Sequence, residues 1–105
     1  MKILFDDLDL KELVTTGKNR KYKKYQRDTF FMNRLHKTFK YMENANGTAM
    51  LTQISPLHYE KLRGLGISSV RISNSYPERI IFRETDDGIV VTILEMNTTH
   101  YGKKK

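Results

Sequence analysis

The hydrophobic period of this chain changes near Gly47, and that change constrains the fold more than any other feature. Before it, apolar residues recur at helical spacing. Tyr25, Met32, Leu35, Phe39 and Met42 stand seven, three, four and three residues apart, which makes one stripe on a 3.6-residue helix. After it, Pro56, Gly64 and Gly66 interrupt the chain, and three extended runs follow: ISSVRIS (67–73), ERIIFRE (78–84) and GIVVTILEM (88–96). NSYP and DDG separate them, and Asp-Gly is a strong signal for a two-residue hairpin. Helices first and strands second predict an α+β domain, with an N-terminal helical hairpin packed on a C-terminal antiparallel sheet.

Local signals set the boundaries. KILF (2–5) reads as a short strand or extended lead-in. DDLDLKELVTT reads as a helix capped by Asp6 or Asp7, with Leu10, Leu13 and Val14 on one face and Gly17 as its stop. The second helical pattern runs from Lys18 to about Asn44, and NANG ends it at Gly47. A very short turn joins the two helices. A further helical turn is expected over Ala49–Gln53. The chain therefore divides into a helical part at about 6–46, a sheet part at about 67–101 and a basic tail at 102–105, all in one domain. At 105 residues it can bury a core without metal or disulfide support. It has no cysteine, which fits a reducing compartment. No stretch approaches the ~18–20 apolar residues of a membrane span, and the N-terminus lacks a signal-peptide pattern. A cytoplasmic protein with no membrane partner is expected.

The charge points to an anionic partner. Nineteen Lys and Arg stand against twelve Asp and Glu, a net charge of +7. Nine of the cations lie between Lys18 and Lys40, with Asp28 as the single acid among them. A solvated helix face usually mixes signs for i,i+4 pairing; this one does not. Lys18, Arg20, Lys21, Lys23 and Lys24, interleaved with Tyr22 and Tyr25, form an expected anion-binding surface. A second set comprises Lys61, Arg63, Arg71, Arg79 and Arg83. Alternation places Arg79, Ile81 and Arg83 on one face of a strand, and Ile80 and Phe82 on the other. Arg71 falls beside Arg79 across a hairpin. Arginines directly opposite each other repel, so their convergence makes sense around an anion such as phosphate.

Glu60 precedes Lys61 and Arg63 in the loop leading to the sheet, and His100 and Tyr101 follow its last strand. A carboxylate, several cations and a His-Tyr pair suit RNA cleavage without metal or other cofactor. The RNA's own 2′-hydroxyl is the nucleophile. Glu60 is the candidate base, His100 the candidate acid, and the cations stabilise the phosphorane. His36 and His58 are read as bystanders. No zinc motif, Walker loop, GxGxxG or Gly-x-Ser-x-Gly is present.

These residues also carry a resemblance. DLKELVTTGKNRKYKK is similar to the N-terminal stretch of HigB-type toxins, in which an acidic first helix meets a Thr-Gly-Lys turn and a basic second helix. EKLRG, SVRIS and ERIIF resemble, in order, the Leu-Lys-Gly, Ser-Ile-Arg-Ile and Trp-Arg-Ile-x-Phe blocks of the RelE/ParE toxin superfamily. The terminal His-Tyr resembles the ending of the YoeB branch. Lys61 stands where the family has proline, Glu78 where it has tryptophan, and TTHY where HigB members end in Asp-Tyr-His.

The resemblance implies a RelE-like microbial-RNase fold and the toxin of a type II toxin–antitoxin system. Such a toxin is a ribosome-dependent mRNA endonuclease, or mRNA interferase, that inhibits translation. Glu60 would be the base, Arg79 the phosphate-stabilising cation, and His100 and Tyr101 the acid and the substrate-orienting group. Arg63 matches a family lysine and Arg71 an arginine of the middle strand. The anion-binding surface of Lys18, Arg20, Lys21, Lys23 and Lys24 would be an RNA-binding one. The implied partners are the ribosome, mRNA and a cognate, HigA-like helix-turn-helix antitoxin, with operator DNA reached only through the antitoxin. The alternatives are a non-catalytic ParE-like gyrase inhibitor and a basic nucleic-acid- or ribosome-binding module.

Overall fold

The computed structural model describes residues 1–62 and 66–97. The elements run β1 (Lys2–Phe5), α1 (Leu8–Thr16), α2 (Lys23–Gln26), α3 (Thr29–Asn44), α4 (Thr48–Leu51), β2 (Glu60–Leu62), β3 (Ile67–Arg71), β4 (Arg79–Glu84) and β5 (Val90–Asn97). A 3-10 turn over Ser55–Leu57 precedes β2. This is a small α+β domain with one five-stranded sheet in the order β1-β5-β4-β3-β2.

Asp7 caps α1, accepting the Leu10 N–H at 3.0 Å, and Gly17 ends the helix at φ 80°. The long helix expected over 18–44 is broken in two. Asp28 adopts an extended conformation and its side chain accepts the Phe31 N–H at 3.0 Å, so it caps a new helix. The apolar stripe continues across the break, which is why periodicity alone joins the two pieces. The segment between α1 and α3 thus carries α2 rather than a very short turn. The helix ends at Asn44, and Gly47 is not its stop but the residue that begins α4.

Residues 67–71, 79–84 and 90–97 form the predicted meander, with β3–β4 and β4–β5 both antiparallel. The turn after β4 is longer than Asp-Gly suggests: Thr85 N–H donates to Val90 O at 3.0 Å, and Gly88 takes φ 71°. Two strands extend the meander. β1 pairs parallel to β5 at one edge, and β2 pairs antiparallel to β3 at the other. Glu60 therefore stands in a strand, not in a loop.

The helices cover one face of this sheet. Leu10, Leu13, Phe31, Leu35, Phe39 and Met42 pack with Val70, Ile80, Phe82, Val91, Ile93 and Met96. Burying each large apolar side chain stabilises the fold by ~1.5–3 kcal/mol. A bulge keeps β5 in phase with this core. Ile81 pairs with Glu95 and Phe82 with Ile93, so Leu94 has no partner on β4. A regular ladder would turn Met96 out of the core, because a one-residue slip exchanges the faces.

Candidate functional site

The face opposite the helices carries the site. Register puts Glu60 opposite Ser69, Ser69 opposite Ile81, and Arg71 opposite Arg79. With strand alternation, all five belong to the open face. Ile81 is fully buried yet stands outside the core cluster, consistent with that side.

Arg79 is the most constrained cation of the set. It is only 4% exposed. Its Nε–H donates to Ser69 Oγ at 2.9 Å, and its Nη2 donates to the His58 carbonyl at 2.9 Å. Glu60 Oε1 lies 3.5 Å from the same Nη2, and the Glu60 side chain is 60% exposed. Burial lowers the Arg79 pKa; Arg71 adds to the lowering and Glu60 opposes it. Guanidinium nevertheless stays charged in proteins. Arg71 is half-buried, and its Nε has no hydrogen-bond partner. Arg79 is thus held in place, and Arg71 adds a second cation with an unsatisfied donor, beside a carboxylate open to solvent. Such a pair can grip a phosphate in bidentate fashion while the carboxylate takes a proton.

The other predicted residues divide. Arg83 is exposed on the same strand face as Arg79, further along β4. Lys61 does not join the arginines. It points to the opposite side, where it lines a cleft of about 510 Å³ with Tyr59, Thr48, Glu84 and Asp87. Strand parity is the reason: Lys61 is one residue past Glu60. Arg63, His100 and Tyr101 lie outside the described residues.

The first cation set gathers at the start of α2. Lys18, Arg20 and Lys23, with Glu12, Asn19 and Gln26, line a cleft of about 440 Å³. Asn19 is its buried keystone: Nδ2 donates to Glu12 Oε1 at 2.8 Å and Asp9 Oδ1 at 3.1 Å, and its N–H donates to Gln26 Oε1 at 2.9 Å. Lys21 and Lys24 lie instead over the rings of Tyr22 and Tyr25, at 5.4 and 5.0 Å from the centroids.

These two tyrosines are structural groups: Tyr22 belongs to the buried core and Tyr25 packs against it. Tyr22 OH donates to Asp7 at 2.7 Å, and Tyr25 OH donates to Glu78 at 2.7 Å. Burial first, and then the carboxylate, pushes each phenol well above its ordinary pKa. Tyr76 OH likewise donates to Asp28 at 2.7 Å. The basic segment is therefore tied to α1 and to the sheet through tyrosine–carboxylate bonds.

Three contributors to the site escape sequence reading. Ser69 and the His58 carbonyl hold Arg79, and His58 does so from φ 47°. The sequence makes His58 look like a bystander because its backbone, not its ring, acts. The third is Tyr59, anchored at Glu84. His36 stays away from the site, contacting Val14 O at 3.0 Å. Among the described residues no group of His, Cys, Asp and Glu is placed to hold a metal ion, and no helix is long and apolar enough to cross a membrane. No family model matches the chain, and no curated protein matches it in sequence.

Proposed function

We propose that this chain is a metal-independent endoribonuclease of the RelE/ParE type, the HigB-like toxin of a toxin–antitoxin pair that cuts mRNA on the ribosome. One observation carries the proposal: two arginines directly opposed on neighbouring strands, with a solvent-accessible carboxylate 3.5 Å from one of them. Opposed cations cost stability unless an anion lies between them. A phosphodiester is the anion that uses both the fork and the carboxylate.

In the proposed reaction Glu60 takes the proton of the RNA 2′-hydroxyl. The O2′–P bond forms and the P–O5′ bond breaks. Arg79 and Arg71 hold the phosphorane's added charge, and His100 gives a proton to the departing 5′-oxygen while Tyr101 orients the substrate. The products are a 2′,3′-cyclic phosphate and a 5′-hydroxyl. A general acid or base contributes ~10²–10⁴-fold, so loss of Glu60 should cost that order in kcat. Lys18, Arg20 and Lys23 provide a separate grip on ribosomal RNA phosphates. An antitoxin with acidic or helical segments would cover the arginines.

The test is cleavage of a defined mRNA by purified protein, with and without translating ribosomes, comparing the native chain with Glu60→Gln and His100→Ala. Ribosome-dependent cutting that both variants lose supports the scheme. Cutting retained in His100→Ala removes the assigned acid and leaves the work to Glu60 and the arginines. An intact mRNA in every lane would refute the nuclease and favour a binding module or a gyrase inhibitor.

A further inference from the structure

Glu84 closes β4 on the core side of the sheet, away from the arginine pair. Its carboxylate collects three hydroxyls from three segments. Thr48 of α4 donates at 2.6 Å, Ser68 of β3 donates at 2.5 Å, and Tyr59, just before β2, donates through its phenol. The proposed reaction uses none of these groups.

Tyr59 connects this cluster to the site. It stands between His58 and Glu60, the two residues that contact the Arg79 Nη2. Alternation sends the Tyr59 side chain to Glu84 on the core side and the Glu60 side chain to Arg79 on the open side. His58 holds a left-handed conformation at φ 47°, uncommon for a residue other than glycine. Such a conformation persists where its surroundings over-determine it. On one side the 3-10 turn fixes it, with His58 N–H donating to Ser55 O at 3.2 Å; on the other side stands the anchored Tyr59. The ring of Tyr59 also packs near Phe82, 6.3 Å between centroids, so the hydroxyl can be removed without emptying the ring's place.

We infer that Tyr59, anchored by Glu84, is a positioning residue that sets the His58 carbonyl and the Glu60 carboxylate around Arg79. Its kinetic consequence rests on the endoribonuclease reading; its geometric consequence does not.

The experiment uses the full chain and two readouts. The first is hydrogen exchange of the Arg79 Nη2 protons, which face His58 O and Glu60, followed by ¹⁵N NMR. Tyr59→Phe should speed that exchange ~10-fold or more, because losing a hydrogen bond to a charged group lowers the free energy of local opening. Phe39→Leu, in the core away from Arg79, serves as a control for general loosening and should leave the exchange unchanged at a comparable loss of melting temperature. The second readout is kcat and KM for RNA. Tyr59→Phe should lower kcat ~10-fold with KM within about twofold, and Glu84→Gln combined with it should add little further loss. Unchanged Arg79 exchange in Tyr59→Phe, or equal acceleration in Phe39→Leu, overturns the positioning role. Full kcat with a loosened Arg79 overturns its kinetic consequence. Failure of the native chain to cut RNA overturns the nuclease reading alone, and the exchange result then decides the positioning role by itself.

Discussion

Gly88→Ala gives the sharpest stability test, because a second glycine in the same backbone region controls for it. Gly88 has φ 71° and Gly17 has φ 80°. Either alanine incurs the left-handed penalty of ~1–2 kcal/mol. Around Gly17 a Cβ meets nothing within 4 Å, whereas at Gly88 it would lie 2.5 Å from Thr48 Oγ1. Thr48 cannot simply rotate away, since that oxygen donates to Glu84 at 2.6 Å. A hydrogen bond to a charged group is worth ~1.5–3 kcal/mol, and Glu84 is only half-buried, so the lower end applies. Gly88→Ala should therefore cost ~2.5–3.5 kcal/mol and Gly17→Ala ~1–2 kcal/mol. Urea unfolding at 25 °C with a common m-value measures both. In a Thr48→Ala background the clashing oxygen is gone, and Gly88→Ala should fall to the Gly17→Ala cost. Equal costs for the two glycines in the native background, or strict additivity with Thr48→Ala, would falsify the reasoning.

Asp7→Ala removes both the α1 cap and the Tyr22 hydroxyl's acceptor; a loss of ~2–3 kcal/mol is expected, and Tyr22→Phe in that background should cost little more, as denaturation midpoints will show. Burial alone would raise the Glu84 pKa, but hydrogen bonds from Ser68, Thr48 and Tyr59, with the charge of Lys61, bring it below its ordinary 4.5. Its stabilisation is therefore full above pH 4.5 and is lost as pH falls through the lower folded value, and Glu84→Gln should flatten that part of the acid-unfolding curve. Asp28 and Asp87 shift in the same direction, so the limb should flatten only in part. Arg71→Gln should raise the melting temperature slightly, by relieving ~0.2–1 kcal/mol of cross-strand repulsion, while reducing RNA cleavage. Replacing Lys18, Arg20 and Lys23 by alanine should lower the slope of log affinity against log salt for RNA by about 2, in a filter-binding titration.

The sequence foretold the elements whose signals are local. Asp7 and Gly17 bracket α1 by cap chemistry, and the alternating runs mark β3, β4 and β5. The break before Asp28 was hidden because the stripe from Tyr25 to Met32 stays in phase across it; only the isolated acid among cations marks a new cap. β2 is three residues long and exists through its pairing with β3, so no period could announce it. The opposed arginines were legible from register logic, but their partners were not. Ser69, the His58 carbonyl and the Tyr59–Glu84 bond depend on which faces meet at separations of 10, 21 and 25 residues. The tyrosine–carboxylate bonds of Tyr25 and Tyr76 span 53 and 48 residues, so no local pattern announces them.

Sheet parity then explains how so small a domain carries a polar site without losing its core. Consecutive residues serve opposite faces: Ser68 bonds Glu84 while Ser69 bonds Arg79, and Tyr59 bonds Glu84 while Glu60 meets Arg79. On the core side Glu84 ends a strand, where three hydroxyls satisfy it. On the open side Arg79 is nearly as buried as a core residue, yet it faces another arginine. Desolvation and like charge both work against that arrangement, and the Glu60 carboxylate only partly offsets them. Such a site is worse than an apolar one for stability alone. On the proposed reading a phosphate would neutralise both guanidinium groups and offset their mutual repulsion. The cost to the fold and the proposed gain on binding would then have one origin, so a substitution at Arg71 that relieves the first should weaken the second.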